Sequence, residues 1–157
     1  MSTVIGAPRE RVWDALTIPA EIARWDRRVL ALPERPAGPL REDDVLNCRY
    51  QMGAIPLDYK LHVLTSAPGA RLDTEISMGL FRFRETYLVV DESRTQTRLS
   101  LRLTAPNAMP VVGGLIDRFD VRKMASDRVD ERLRGLREWC EQPVAADASL
   151  FPSGPIT

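Results

Sequence analysis

The chain has 157 residues, of which 44% are hydrophobic and 28% charged, and its 22 Lys and Arg balance 22 Asp and Glu. That length provides one hydrophobic core and the composition is that of a folded chain, which excludes two large domains and a disordered protein. Zero net charge argues against nucleic-acid binding, and no apolar run approaches the roughly 20 residues of a membrane span.

The first part of the chain predicts a short strand followed by two small helices. Residues 2–6 are β-prone, and the apolar spacing that follows predicts helices over 9–16 and 20–25. Thr17 is expected to cap the second helix, because a hydroxyl at that position accepts a hydrogen bond from a free backbone N–H. Trp25 ends this helix on its apolar side.

The middle of the chain predicts an antiparallel sheet. Apolar and polar residues alternate with a period of two, which is typical of strands with one buried and one solvated face. With the first strand included, the predicted strands cover 2–6, 28–32, 45–52, 57–65, 71–77, 80–90 and 96–104. The solvated face is rich in arginine, and we interpret it as a surface balanced by acids, with a partner surface as the alternative.

The last part of the chain predicts one long helix over about 110–142, because the apolar period becomes helical there. About 33 residues span roughly 50 Å, enough to cross the whole sheet. Leu115 and Phe119 lie on its apolar stripe. A proline ends the helix, so we expect a single domain over 1–142 and a flexible tail over 143–157.

Cysteine and histidine content narrows the chemistry. Cys48 and Cys140 form no CxxC pair and are expected to be buried reduced thiols. One histidine, His62, cannot form a zinc site alone, because zinc needs several such ligands. The sequence also lacks the GxSxG motif that accompanies the histidine of a triad hydrolase. No Gly-rich phosphate loop occurs, so we expect no metal and no cofactor. The N-terminal residues do not resemble a signal peptide, and we expect a cytoplasmic location.

Glu85 is the most informative polar position. It lies on the predicted inner face of its strand, between Phe83 and Tyr87. Burial among aromatic rings should raise its pKa, which would suit it to act as a catalytic acid or base. The alternatives are a structural ion pair with Arg122 or Lys123 on the long helix, or a β-bulge that turns the side chain outward.

Further polar side chains share the predicted inner faces. The hydroxyls of Tyr50, Tyr59 and Tyr87 need hydrogen-bond partners and could bind a ligand carbonyl or stabilise an enolate. We take Tyr59 as the second catalytic candidate, and Thr74 as a smaller ligand contact. For all of these, and for Trp25, packing in the core is the alternative interpretation.

Four short motifs follow the order of the predicted elements: IGAPRERVWDAL at 5–16, WD at 25–26, TRL at 97–99 and LREWC at 136–140. With the order strand, two helices, strands and a long helix, they resemble the START-type, polyketide-cyclase-like superfamily SRPBCC. The resemblance covers about residues 1–142. The first strand is shorter than is usual in that superfamily.

This resemblance implies an α+β helix-grip fold, in which a curved antiparallel sheet of about six to seven strands wraps around the C-terminal helix and leaves a mostly apolar cavity. Members bind lipids, sterols, hormones or polyketides, and some cyclise or dehydrate a bound polyketide. We therefore expect a monomer or homodimer that binds a hydrophobic small molecule, as a cofactor-independent cyclase or dehydratase using Glu85 and Tyr59. The alternative is a non-catalytic carrier or sensor of a lipid or terpenoid-like ligand. The expected ligand contacts are Trp25, Tyr50, Thr74, Phe83, Tyr87, Leu115 and Phe119.

Overall fold

Seven strands and three helices make up the described part of the chain. The computed structural model describes residues 1–34, 36–52, 54–79, 81–105 and 118–143. In chain order the elements are β1 (Ser2–Ile5), α1 (Arg9–Thr17), α2 (Pro19–Trp25), β2 (Val29–Ala31), β3 (Val45–Met52), β4 (Ile55–Ala67), β5 (Arg71–Met78), β6 (Phe81–Ser93), β7 (Gln96–Thr104) and α3 (Arg118–Cys140).

All seven strands form one antiparallel sheet in the order β1-β7-β6-β5-β4-β3-β2. The sheet is strongly curled, and α3 packs against β1 and β7 as well as against both short helices. A register shift between Val63 and Thr65 adds a local kink to β4, since an extra residue on one strand increases its twist. The predicted α+β helix-grip fold is confirmed.

The two short helices close one end of the fold through buried contacts. The indole N–H of Trp25 donates to the carbonyl oxygen of Ala15 at 2.8 Å and so ties α2 to α1. The expectation that Thr17 caps α2 is wrong, because its hydroxyl donates instead to the carbonyl oxygen of Trp13 at 2.8 Å. α2 begins at Pro19, whose missing N–H needs no cap.

Four predicted members of the apolar stripe of α3 are buried in the core: Val129, Leu133, Leu136 and Cys140. Gly135 lies where α3 crosses α2. A Cβ atom at this position would lie 3.2 Å from the carbonyl oxygen of Trp25, so the close approach of the two helices favours glycine.

Several sequence predictions fall outside the described residues. They include the start of the long helix with Leu115, and the tail beyond Pro143. Phe119 lies in α3, but its side chain is not among those described. Cys48 and Cys140 are buried free thiols, as predicted. Within the described ranges, no helix combines the length and apolarity needed to cross a bilayer, and no cluster of three or more potential metal-binding side chains occurs.

Candidate functional site

Glu85 lies on the inner face of the sheet and is 1% exposed. Its strand is regular at this point: Glu85 lies opposite Thr74 on β5 and opposite Leu103 on β7. The alternative in which a bulge turns this side chain outward is therefore wrong. A carboxylate in the interior requires partners, because burying an unpaired charge is very unfavourable.

Two neighbours bind the carboxylate of Glu85. The hydroxyl of Tyr87 donates to Oε2 at 2.9 Å, and Nε and Nη2 of Arg128 on α3 donate to Oε1 at 3.4 and 3.3 Å. An ion pair, one of the alternatives considered from the sequence, is thus present, and the partner is Arg128. The side chains of Arg122 and Lys123, the partners considered from the sequence, are outside the described set.

The contacts continue from Tyr87 to the end of α2. Nε of Arg132 donates to the Tyr87 hydroxyl at 3.0 Å, and its Nη1 donates to Oδ2 of Asp26 at 2.8 Å. Asp26, Glu85, Tyr87, Arg128 and Arg132 form what we call the buried polar cluster. Its two carboxylates and two guanidinium groups cancel in charge, and they connect the sheet, α3 and α2.

The surroundings of Glu85 overturn the expected direction of its pKa. Burial alone raises the pKa, as the sequence interpretation assumed. The positive charges of Arg132 and Arg128, with the hydrogen bonds from Tyr87 and Arg128, outweigh burial and hold the pKa below its ordinary value. Glu85 is therefore ionised at neutral pH and carries no proton to donate.

The inner tyrosines remain neutral because burial, which cations outweigh at Glu85, dominates at their hydroxyls. Burial raises the pKa of Tyr87, of Tyr59 and of Tyr50, because a phenolate is poorly solvated in the interior. The ring of Tyr50 meets the ring of Tyr59 edge to face at 5.5 Å, and the guanidinium of Arg128 lies 4.8 Å from the Tyr50 centroid. These side chains are hydrogen-bond donors and apolar surfaces at neutral pH.

A small cavity of about 20 Å³ lies between the inner face of the sheet and the two short helices, and Arg132 of α3 also lines it. It has room for one water-sized group. Most of its lining is apolar, and the polar groups on it are Thr74, Glu85, Tyr59, Tyr87 and Arg132. The structure therefore brings together both candidate catalytic residues and two of the expected ligand contacts.

The remaining expected contacts lie elsewhere. Tyr50 is 1% exposed and is not among the lining residues of the cavity, although its ring contacts Tyr59, which lines it. Phe83 is partly buried and packs against the edge of the core. The ring of Trp25 lies 5.2 Å from the guanidinium of Arg132, and its indole N–H is already bonded within the core.

A second, polar cleft of about 150 Å³ lies at the surface between the end of α2 and α3. Its lining includes Trp25, Asp26, Tyr50 and Arg132. Arg132 is thus common to the lining of this surface cleft and of the inner cavity. The buried polar cluster therefore extends from the interior to the edge of the molecule.

Sequence reasoning missed Arg128 and Arg132. A signal was present, because positions 128, 132 and 136 follow one another at a spacing of four and so share a helix face with buried Leu136. Two arginines on the core face of a helix need buried carboxylates. Asp26, whose place after the second helix suggests only a turn residue, supplies one of them.

The fold and the inward-facing polar cluster define a START-like, SRPBCC-type protein, in which a curled sheet and one long helix enclose the candidate site. The family model described as polyketide cyclase / dehydrase and lipid transport matches residues 1–141. The chain belongs to this family.

Solved structures support the same fold. A START superfamily protein from Mycobacterium smegmatis superimposes with a TM-score of 0.72 at 16% identity, covering 90% of this chain and 95% of that one. A protein from Thermus thermophilus superimposes with a TM-score of 0.70 at 21% identity, covering 89% of this chain and 94% of that one. A putative protein in the dynemicin biosynthetic locus gives 0.56 at 18% identity, covering 87% of this chain and 45% of that one. No curated protein sequence matches the chain.

Proposed function

We propose that this protein binds a hydrophobic small molecule between the inner face of the sheet and α3, and that it acts as a carrier or sensor. The observation that carries the proposal is the pairing of Glu85 with Arg128 and Tyr87 beside a cavity whose lining is mostly apolar. An apolar lining with a few fixed polar groups is typical of small-molecule sites. The family description, which includes lipid transport, agrees with this function.

The state of Glu85 favours binding over acid–base catalysis. A general acid at neutral pH needs a pKa near that pH, and the two arginines lower the pKa of Glu85 away from it. Tyr59 and Tyr87 have raised pKa values and remain neutral. The polar groups on the cavity are therefore suited to orient a ligand.

A ligand of ordinary size needs more space than the described lining encloses. The polar groups around Glu85 form one end of the proposed site.

A cyclase or dehydratase is the second candidate, and the first half of the family description favours it. In that case ionised Glu85 would act as a base, and the neutral Tyr59 hydroxyl would polarise a substrate carbonyl. Both residues line the same cavity, so they could act on one bound molecule.

Native mass spectrometry of the purified protein tests the binding proposal. We expect a retained small molecule in the wild type and its loss in Leu61→Phe, which fills the cavity from β4. The matched control is Leu88→Phe, the same change at an exposed leucine of β6. Retention in both variants, or in none of the three proteins, contradicts the proposal.

Glu85→Gln separates the carrier from the enzyme. A carrier retains the same molecule in the wild type and in this variant. A dehydratase retains unconverted substrate only in the variant, heavier than the wild-type product by one water. A difference of one water supports the dehydratase. Identical masses with identical fragmentation support the carrier or sensor, and identical masses with different fragmentation support a cyclase, since cyclisation alone conserves mass.

A further inference from the structure

We propose that the polar end of the bound molecule is a hydroxyl group, which donates a hydrogen bond to the carboxylate of Glu85 and accepts one from the hydroxyl of Thr74. This inference rests on the proposed function and adds the chemical class of the ligand. It is carried by the position and hydrogen bonding of Thr74 beside the buried polar cluster.

Thr74 carries a hydroxyl that the fold itself does not use. The residue is 1% exposed, and Oγ1 has no hydrogen-bond partner among the residues that the structure describes. Buried polar atoms are nearly always hydrogen-bonded, so an unpartnered one calls for an explanation. Val63, on the other side of Thr74 in the sheet, is apolar and provides none.

The register of the sheet places Thr74 beside Glu85. The two residues are direct partners in the register of β5 and β6, and both line the cavity of about 20 Å³. Directly opposite residues of an antiparallel pair have Cβ atoms roughly 5 Å apart. A single oxygen-sized group in this cavity can therefore contact both side chains.

The chemistry of the pair selects what that group must be. Ionised Glu85 only accepts hydrogen bonds. Oε1 accepts both donors of Arg128, and Oε2 accepts the Tyr87 hydroxyl and keeps one lone pair free for a further donor. A ketone or ether cannot donate to it. The buried polar cluster is neutral as a whole, so an added carboxylate or ammonium group would be a buried charge without a partner. A hydroxyl both donates to Glu85 and accepts from Thr74.

Matched probes test this selection by isothermal titration calorimetry on the full chain. The first pair is decanol and fluorodecane, and the second is naphthol and fluoronaphthalene, because fluorine is close to a hydroxyl in size but donates no hydrogen bond. Decanoate is the anionic comparison. We expect the wild type to bind at least one alcohol about tenfold more tightly than its fluoride, the effect of one charge-assisted hydrogen bond.

Two variants of Thr74 provide the matched control. Thr74→Val keeps the shape and removes the hydroxyl, and we expect the preference for the alcohol to fall severalfold. Thr74→Ser keeps the hydroxyl, and we expect the preference to remain. Circular dichroism and thermal unfolding establish that both variants are folded.

Each other outcome has a distinct meaning. Equal affinity for alcohol and fluoride, tighter binding of decanoate, or an unchanged preference in Thr74→Val overturns the inference and leaves the proposed function standing. Binding of none of the probes contradicts the inference and the proposed function together.

Discussion

The two faces of the sheet carry the same kinds of charge in opposite surroundings. On the outer face, Glu75 lies 3.9 Å from Arg82 and 3.6 Å from Arg84, whose side chains are 59% and 50% exposed. On the inner face, Glu85 lies 3.3 Å from Arg128, whose side chain is 12% exposed. The distances are similar, and the access of water is very different.

That difference decides what each pair contributes. Water screens the outer charges and solvates either partner when the other is removed, so such pairs contribute little. The inner charges are removed from water and depend on one another, so loss of one partner leaves an unpaired charge in the interior. The comparison predicts that mutations on the two faces differ strongly in their effect on stability.

Arg132→Met is expected to have the largest effect. The change keeps the unbranched apolar stem of the side chain but removes the donors to Tyr87 and Asp26. Because Asp26 is then buried without a cation, we expect a loss of about 3–5 kcal/mol in the free energy of unfolding. Urea unfolding at neutral pH measures it, and a loss below about 1 kcal/mol would show that the inner face behaves like a surface.

Glu85→Gln tests the inner charge through pH. Burial raises the pKa of Glu85 in the folded chain, but Arg132 and Arg128 outweigh burial and hold it below the ordinary value of 4.5. The carboxylate therefore contributes its full stability above that value, and the contribution is lost as the pH falls from there through the folded pKa.

For this variant we expect a loss of about 2 kcal/mol at neutral pH, from the charged hydrogen bonds that it weakens. We also expect it to lose less stability in acid than the wild type does. Urea unfolding from about pH 3 to about pH 7 measures how the free energy of unfolding changes with pH in the wild type and in the variant. Parallel curves would contradict the lowered pKa.

Arg84→Gln on the outer face is expected to have the smallest effect. Arg84 is half exposed and shares Glu75 with Arg82, so the change in the free energy of unfolding should be within about 0.5 kcal/mol. Urea unfolding at low and high salt measures it. A loss comparable to that of Arg132→Met would remove the distinction between the two faces.

Most of the architecture was predictable because it depends on local periodicity. The period of two predicts β3 and β7 to the residue, and the helical stripe correctly buries Leu133 and Leu136 on α3. The ends of β4 and β6 were less predictable. Each extends to 13 residues, because tertiary pairing continues the strands beyond their alternating segments.

The candidate site was predictable only in part. The alternation places Glu85, Tyr87 and Thr74 on the inner face, and the structure agrees. The pairing of Glu85 with Arg128 depends on how α3 crosses the sheet, which no local period encodes. The predicted direction of the Glu85 pKa was wrong for that reason. The prediction considered burial, which raises the pKa, but not the nearby arginines, which lower it.

Arg132 has a consequence for how the interior is sealed. Its side chain borders both the inner cavity and the surface cleft beside α2. The Arg132 side chain therefore lies between the inner cavity and the surface cleft, and hydrogen bonds to Tyr87 and to Asp26 fix its position. A much shorter side chain at this one position would join the two spaces into a continuous passage and admit bulk solvent to the centre of the molecule.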